Sequence, residues 1–399
     1  MKNPKLRFKD FNDKWEHNKL EVFLIKNSER NKDLKINFIE SVSCKFGFIS
    51  QDELFSDRKM YGKDLSKYIV VQPTYFAYNP MALSSGSIAY KELNDNVSIV
   101  SPDYVSFTTN DLMNQSFLWY WIHTKNFENQ RIVLTSGGVR SRLYFESLVQ
   151  MQINVPSLEE QNYIGSFFKD LDHIITATKH KIDKLNDLKS NLLESLYCNN
   201  HQKTPNLRFE GYTNQWDSVS FSKLLTRYSS KNKDLKITYV ETISSKHGFI
   251  AQEDYFQSLK VASKDLSNYS IIEPGSFAYN PGWIHVGSIA YKKFNEKVSI
   301  VSPLYISFKA NELIDNEFLI YWFRTSEFER IRSLSTSNGV RYRFDYSSFI
   351  KFSIKMPSLE EQIKIRNLLN DVTSLIKINE QYLGNLEKQK QALLQRMFV

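Results

Sequence analysis

The sequence predicts an α+β protein made of two tandem copies of one unit, each copy closed by a long heptad-patterned helix. Three observations predict it. Matching segments recur at one fixed offset along the 399 residues. Short β-branched and aromatic runs, bounded by Gly, Pro, Asn and Ser, fill the body of each copy. Apolar residues at alternating spacings of four and three then end each copy.

The repeat comes first. Pro4–Trp15 (PKLRFKDFNDKW) returns as Pro205–Trp216 (PNLRFEGYTNQW), 201 residues on. The same offset joins Thr74–Tyr90 to Gly275–Tyr291, VSIVSP at Val97 to Val298, GVRSR at Gly138 to GVRYR at Gly339, and PSLEEQ at Pro156 to Pro357. No insertion or deletion separates the copies. The period is too long for a solenoid, so this is a duplicated domain-sized unit. Two like modules make a pseudo-two-fold molecule, which suits a target with two half-sites. The expected division is a first domain at 1–155, its helix at 156–198, a polar linker at 199–204, a second domain at 205–356 and its helix at 357–399.

Within each copy the elements follow in order. An aromatic-basic segment opens the unit, followed by an apolar run (Leu20–Ile25; Phe221–Leu225). Tyr68–Val71, Ser98–Val100 and Tyr104–Phe107 read as strands, as do Ile271–Ile272, Ser299–Val301 and Tyr305–Phe308. Phe117–Glu128 and Phe318–Glu329 read as aromatic helices packed on a sheet. Pro156-Ser157-Leu158-Glu159-Glu160 is a helix start, with Ser as N-cap and Glu in the first turn. The seam that follows is Ile164, Phe168, Leu171, Ile175, Ile182, Leu185, Leu192 and Leu196. The second copy gives Ile365, Leu369, Val372, Ile376, Leu383, Leu386, Leu393 and Met397. Thr178 and Lys189 interrupt the first seam, and Asn379 and Lys390 the second, where polar residues fix register at some cost in stability. The seams match in length and phase, so the helices are expected to pair as an antiparallel coiled coil.

Composition narrows the class. Aromatics at 14% mark a folded chain, and a net charge of +8 favours an anionic partner such as nucleic acid. No apolar run reaches membrane-spanning length, and MKNPKLRFKDF is not a signal peptide. Cys44 and Cys198 are the only cysteines. Ser245 and Val399 take their places in the other copy, so neither a disulfide nor a cysteine metal site is expected, which fits a reducing cytoplasm.

Catalytic signatures are missing. The Tyr78-Asn79-Pro80-Met81 and Tyr279-Asn280-Pro281-Gly282 turns resemble the base-gripping loop of adenine methyltransferases only in part. Met81 or Gly282 takes the place of its second proline and Ala82 or Trp283 that of its aromatic, and no Gly-rich cofactor loop accompanies them. No Glu-x-Lys of the common metal-dependent nuclease core occurs, and the His residues have no metal-ligand spacing. Gly62-Lys63-Asp64 is not a phosphate-binding loop. The chain is read as one that binds and does not catalyse, with no metal and no cofactor of its own.

Binding chemistry is present instead. Positive residues recur at equivalent places: Lys45 and Lys246, Lys59 and Lys260, Lys63 and Lys264, Arg140 and Arg341, Arg142 and Arg343. In the Gly-containing arginine segments the backbone can approach a phosphate, and alternate arginines can reach phosphates or guanine edges. A solvated surface hairpin has the same composition. Other positions diverge inside matched flanks. Met81-Ala82-Leu83-Ser84-Ser85 faces Gly282-Trp283-Ile284-His285-Val286, and Phe46 faces His247. A fixed frame with variable filling suits modules that read different bases, which makes Ser84, His247, Trp283 and His285 candidate DNA contacts. Neutral drift of a surface leaves the same trace.

The FAYNP…GSIAY frame, the Ser101–Tyr104 and Ser302–Tyr305 segments and PSLEEQ at a long helix occur twice in the same order. Together they resemble the specificity subunit of type I restriction–modification systems over essentially the whole chain. The resemblance implies two target recognition domains, each reading one half of a split site in double-stranded DNA. It implies a paired-helix spacer on which two modification (methyltransferase) subunits dock, with restriction (translocase/endonuclease) subunits added. S-adenosylmethionine, ATP and Mg are then expected in those partners. The alternative is a coiled-coil scaffold or adaptor that does not read DNA. If the helices act as a ruler, deleting one turn, about four residues, from both shortens the gap between half-sites and leaves the half-sites unchanged. Mapping the target of such a variant checks this; an unchanged gap removes the ruler.

Overall fold

Short runs between turns cannot form one large sheet, and each copy folds into small antiparallel ones. The computed structural model describes residues 4–55, 61–135, 142–256, 262–335 and 344–398. They form two compact units, Met1–Lys179 with Gln381–Val399, and His180–Glu380.

The first repeat contributes strands β1 (Glu16–Lys19), β2 (Leu24–Asn27), β3 (Glu40–Ser43), β4 (Gly47–Ser50), β5 (Ile69–Val71), β6 (Phe76–Tyr78), β7 (Ile88–Tyr90), β8 (Ser98–Val100), β9 (Val105–Thr109) and β10 (Gln152–Val155). Its helices are α1 (Gln51–Leu54), α2 (Gln115–Ile122), α3 (Lys125–Leu134), α4 (Phe145–Leu148) and α5 (Leu158–Leu196). The central sheet has the order β2-β9-β6-β7, flanked by the pairs β1-β10, β3-β4 and β5-β8. The second repeat supplies β11 (Asp217–Ser220), β12 (Leu225–Tyr228), β13 (Glu241–Ser244), β14 (Gly248–Ala251), β15 (Ser270–Ile272), β16 (Ser276–Tyr279), β17 (Ile289–Tyr291), β18 (Ser299–Val301), β19 (Ile306–Ala310) and β20 (Ser353–Met356). Its helices are α6 (Phe221–Leu224), α7 (Gln252–Tyr255), α8 (Asn316–Trp322), α9 (Ser326–Ser335), α10 (Tyr346–Phe349) and α11 (Leu359–Met397). The order β12-β19-β16-β17 repeats the first sheet.

The fold class and the strands read from sequence agree with this architecture. Phe117–Glu128 differs: it is two helices, not one. Thr124 is extended at φ −90° and its hydroxyl accepts from Phe127 N, so it caps α3 and ends the run of α2. Asp315 caps α8 in the same manner as Asn114 caps α2.

The core of the first unit gathers Trp15, Phe76, Phe107, Phe117, Trp121 and Phe168. Phe76 and Phe107 lie face to face, 4.9 Å between centroids and 2° apart, as do Phe277 and Phe308 at 5.0 Å and 1°. Each core is completed by the end of the other repeat's helix. Leu394, Met397 and Phe398 belong to the first core, and Leu193, Leu196 and Tyr197 to the second. Phe398 lies 5.1 Å from Phe117, and its repeat equivalent Tyr197 lies 4.7 Å from Phe318 and donates to the Phe318 carbonyl.

In the first unit, the middle of α5 and the last third of α11 run antiparallel. Asp172 accepts from Lys390 and Lys179 pairs with Glu387, so residue numbers fall along one helix as they rise along the other. Leu193 and Leu394 are buried and their neighbours Leu192 and Leu393 only partly so, because these last turns face their domain as well as the seam. The seam lysines face the domains too. Lys390 Nζ lies over the Tyr120 ring at 5.4 Å and Lys189 Nζ over Tyr321 at 5.7 Å. Burial, with Arg324 nearby, pushes the Lys189 ammonium below its usual range.

PSLEEQ does more than start a helix. Ser157 and Ser358 hydroxyls accept from Glu160 N and Glu361 N, as N-caps do. Glu160 takes a bidentate pair from Arg7 at 2.7 Å, and Glu361 takes one from Arg208 at 2.8 and 2.9 Å. Gln161 accepts from Asn114 N and donates to the Leu112 and Pro156 carbonyls. The opening LRF segment and the start of α2 are thereby tied to the first turn of α5.

A second buried pair leaves no local trace in the sequence. Lys91 reaches Glu40 at 2.6 Å and the Asn96 carbonyl at 2.9 Å, with side-chain exposures of 2% and 8% for the two charges. Lys292 and Glu241 repeat the pair. Glu40 begins the β3-β4 hairpin and Lys91 follows β7, so the pair fixes the hairpin on the central sheet. An unpaired charge left in such a site costs about 3–5 kcal/mol, while an apolar replacement of both partners is often neutral. Lys91→Met is therefore expected to destabilise the chain by about that amount, and Lys91→Met with Glu40→Leu to recover most of it. Chemical unfolding of both variants checks this; equal losses in the two would remove the pairing argument.

Candidate nucleic-acid interface

The divergent residues sit on frames that are physically the same. After β6 and β16, Asn79 Oδ1 accepts from Met81 N and Asn280 Oδ1 from Gly282 N, both at 3.0 Å. A short 3-10 turn follows, Leu83–Ser85 or Ile284–Val286, anchored by buried Leu83 or Ile284. Gly86 at φ 84° and Gly287 at φ 82° close the turns in the left-handed region, where a side chain is strained. The anchors are matched and the tips are not. Met81, Ser84, Trp283, His285 and Val286 are exposed, Trp283 by 60%. The Trp283 and His285 rings lie 6.0 Å apart and within 19° of parallel, which makes a flat surface of stacking character.

A second divergent tip lies against the first. The β3-β4 turn carries Lys45 and Phe46, and the β13-β14 turn carries Lys246 and His247. A Cβ on Gly86 would stand 3.4 Å from Cys44 Cβ, and one on Gly287 would stand 3.1 Å from Ser245 Cβ. The hairpin tip and the 3-10 turn therefore touch in each domain. Phe46 is 56% exposed with Lys45 Nζ 4.8 Å from its ring. Lys246 reaches Glu380 at 3.4 Å.

Arg142 joins this surface in the first domain. Its guanidinium donates to Tyr144 Oη at 3.2 Å and reaches Met81 Sδ at 3.3 Å. Leu143 N donates to the Pro80 carbonyl, and Phe344 N to that of Pro281, so Leu143 and Phe344 are each tied to the Asn-Pro turn of their domain. Lys59, Arg140, Lys260, Arg341 and Arg343 lie outside the described residues.

Lys63 and Lys264 are exposed but stand elsewhere. The segment of Lys63 packs through Tyr61 and Leu65 against Ile36, Ile39 and Tyr68, next to the start of β3. The four residues of β3, about 13 Å of strand, separate that place from the Lys45 tip.

A cleft of about 420 Å³ in the first domain is lined by Lys26, Arg30, Met81, Asp103, Tyr104 and Arg142 among others. Lys26 pairs with Glu146 at 2.6 Å, and Arg30 donates to the Lys67 carbonyl at 2.8 Å. A search for recurring residue types misses these two cations because their repeat equivalents are Arg227 and Lys231: the charge recurs and the residue type does not. A scan for recurring charge finds them.

Among the described residues no cluster of His, Cys, Asp or Glu could hold a metal ion, and no helix is long and apolar enough to cross a membrane. Cys198 is buried, and that burial pushes its thiol up to about 11.

The model of the type I restriction modification DNA specificity domain matches residues 12–187 and again 222–388. The type I restriction enzyme MjaVIII specificity subunit of Methanocaldococcus jannaschii is 22% identical over 307 residues, 71% of this chain and 69% of the relative. The solved S subunit of a type I restriction–modification system from M. genitalium superposes with a TM-score of 0.58 at 14% identity, covering 100% of this chain and 99% of that one. A chain from a study of complex assembly and conformational transition of the type I R-M system gives 0.55 at 13%, covering 97% and 98%. Those two likenesses concern the fold; the doubled model match spans most of the sequence, and by it the chain belongs to the type I restriction modification DNA specificity domain family, of which it carries two copies.

Proposed function

We propose that the chain is the sequence-reading subunit of a type I restriction–modification complex, each domain reading one half of a bipartite duplex target. The observation that carries this is the pairing of identical frames with divergent tips, once in each specificity domain. Lysines and arginines on phosphates supply salt-dependent affinity and register. Met81 to Ser85 with Phe46, and Gly282 to Val286 with His247, supply the choice of bases in the groove. Met81 and Ser84 offer a thioether and a hydroxyl, whereas Trp283 and His285 offer stacked aromatic rings. The two half-sites are then read by different chemistry.

The chain itself catalyses nothing in this reading. Two modification subunits supply S-adenosylmethionine chemistry on adenine, and restriction subunits supply ATP- and Mg-dependent translocation and cleavage. The name of the archaeal relative and the study of type I assembly support these partners.

The test is a methylation map. The chain is co-expressed with its modification subunit in a host without adenine methylation, and methylated adenines are located genome-wide. A split motif with a fixed gap, modified on both strands, is expected. No new methylation from an assembled complex would leave a scaffold that does not read DNA. The same map tests the tips. Replacing Gly282–Val286 by the residues of Met81–Ser85 is expected to change the second half-site and to leave the first untouched. An unchanged motif would take base reading away from this turn.

A further inference from the structure

Between β2 and β3, and again between β12 and β13, the chain runs through the same six residues, Asn-Lys-Asp-Leu-Lys-Ile, at Asn31–Ile36 and Asn232–Ile237. The loops are built from within. Asn31 is 1% exposed, donates to the Ile36 carbonyl at 2.8 Å and accepts from Ile36 N at 3.2 Å; Asn232 does the same for Ile237 at the same distances. Leu34 N and Leu235 N donate back to the Asn31 and Asn232 carbonyls at 3.0 Å. That closure sets both leucines at φ 55°.

A turn needing this backbone is served better by glycine or asparagine. Leucine stands there in both copies, 54% and 53% exposed, so its side chain does not serve the folded core. Around it are exposed Lys32 and Lys35, or Lys233 and Lys236, and an exposed aromatic, Phe38 or Tyr239, each 42% open. Asp33 pairs with Lys35 at 2.5 Å and Asp234 with Lys236 at 3.3 Å, which leaves Lys32 and Lys233 as the net charge of each loop. Arg30 and Lys231 precede the loops, and Arg30 also lines the cleft that reaches Met81 and Arg142. Lys63 stands on the segment packed against Ile36.

Strain, exposure and identity point the same way. What differs between two half-sites is their bases; what they share is the sugar–phosphate backbone. Divergent tips fit the first and an identical basic-apolar loop fits the second. We propose that Asn31–Ile36 and Asn232–Ile237 are a second, sequence-independent DNA contact in each domain, with Lys32, Lys35, Lys233 and Lys236 on phosphates and Leu34 and Leu235 packed on deoxyribose. This rests on the DNA-reading function proposed above.

The test uses the full chain assembled with its modification subunit. Leu34→Gly with Leu235→Gly relieves the backbone while removing the apolar contact. Its thermal midpoint is expected to hold or rise. Its affinity for cognate and unrelated duplexes is expected to fall alike, by about tenfold or more, with the methylated motif unchanged. Leu34→Asn with Leu235→Asn, which keeps the left-handed turn, is expected to behave the same way and covers any loosening by glycine. Lys32→Ala with Lys35→Ala is expected to flatten the dependence of log affinity on log salt by roughly 0.9 for each phosphate no longer neutralised. Undiminished affinity on every duplex in the leucine variants overturns the assignment. So does a complex that no longer assembles while the chain still binds DNA, which would make the loop a protein contact. A wild-type complex that binds no duplex at all overturns the DNA reading itself, and that outcome is distinct from either.

Discussion

Glu160 and Glu361 sit at 0% and 1% side-chain exposure, and each is held by the guanidinium fork of an arginine 153 residues earlier in the chain. A carboxylate so placed is tolerable only while that fork is present. Its position is therefore a constraint on everything attached to it. The arginine fixes the opening aromatic segment, the adjoining glutamine fixes the start of α2 or α8, and the serine before them fixes where the long helix begins. Trp15 and Phe117, and equally Trp216 and Phe318, meet edge to face beside these contacts. The globular domain and the first turn of its helix are in this sense one rigid part. In the proposed function, this holds each reading surface in a defined attitude to the start of its own helix.

The two copies separate their residues into those that must agree and those that are free to differ. Agreement is found in the Arg–Glu forks, the buried Lys–Glu pairs, the stacked phenylalanines and the asparagine-anchored turns. The hairpin tip and the adjacent 3-10 turn differ between the copies inside matched flanks, and the left-handed glycines bring the two together. The Lys91–Glu40 and Lys292–Glu241 pairs lie under these hairpins. They hold the hairpins on the central sheets from beneath, so tip residues can be exchanged without disturbing their support.

Much of this is legible in the sequence, for physical reasons. Helix starts are local: Ser157 and Ser358 cap the turn that their own segment forms. Heptad spacing reports burial along one face, and Ile164, Phe168, Ile365 and Leu369 are all buried as that spacing demands. The break at Thr124 escapes such a reading because an aromatic run with helical spacing hides a cap in its middle. The buried ion pairs escape it because Glu40 and Lys91 are 51 residues apart, and nothing local to either reveals its partner. The offset of the repeat holds that information all the same: glutamates and lysines that recur together are available to be paired. The candidate site is legible as two variable patches. That they touch, and that Lys63 stands apart from them, depends on how the strands fold back.

The crossed completion of the two cores carries a consequence for how the protein comes into being. The first domain's core includes Leu394, Met397 and Phe398, residues made only after the body of the second repeat. During synthesis at about 5–20 residues per second, the first domain waits tens of seconds, with the apolar site for those side chains open, until Phe398 leaves the ribosome. The second domain has no such wait, because Leu193, Leu196 and Tyr197 precede it. The first domain to be made is thus the last to close, the reverse of the usual order for tandem domains. During that interval its apolar site is open to other apolar surfaces.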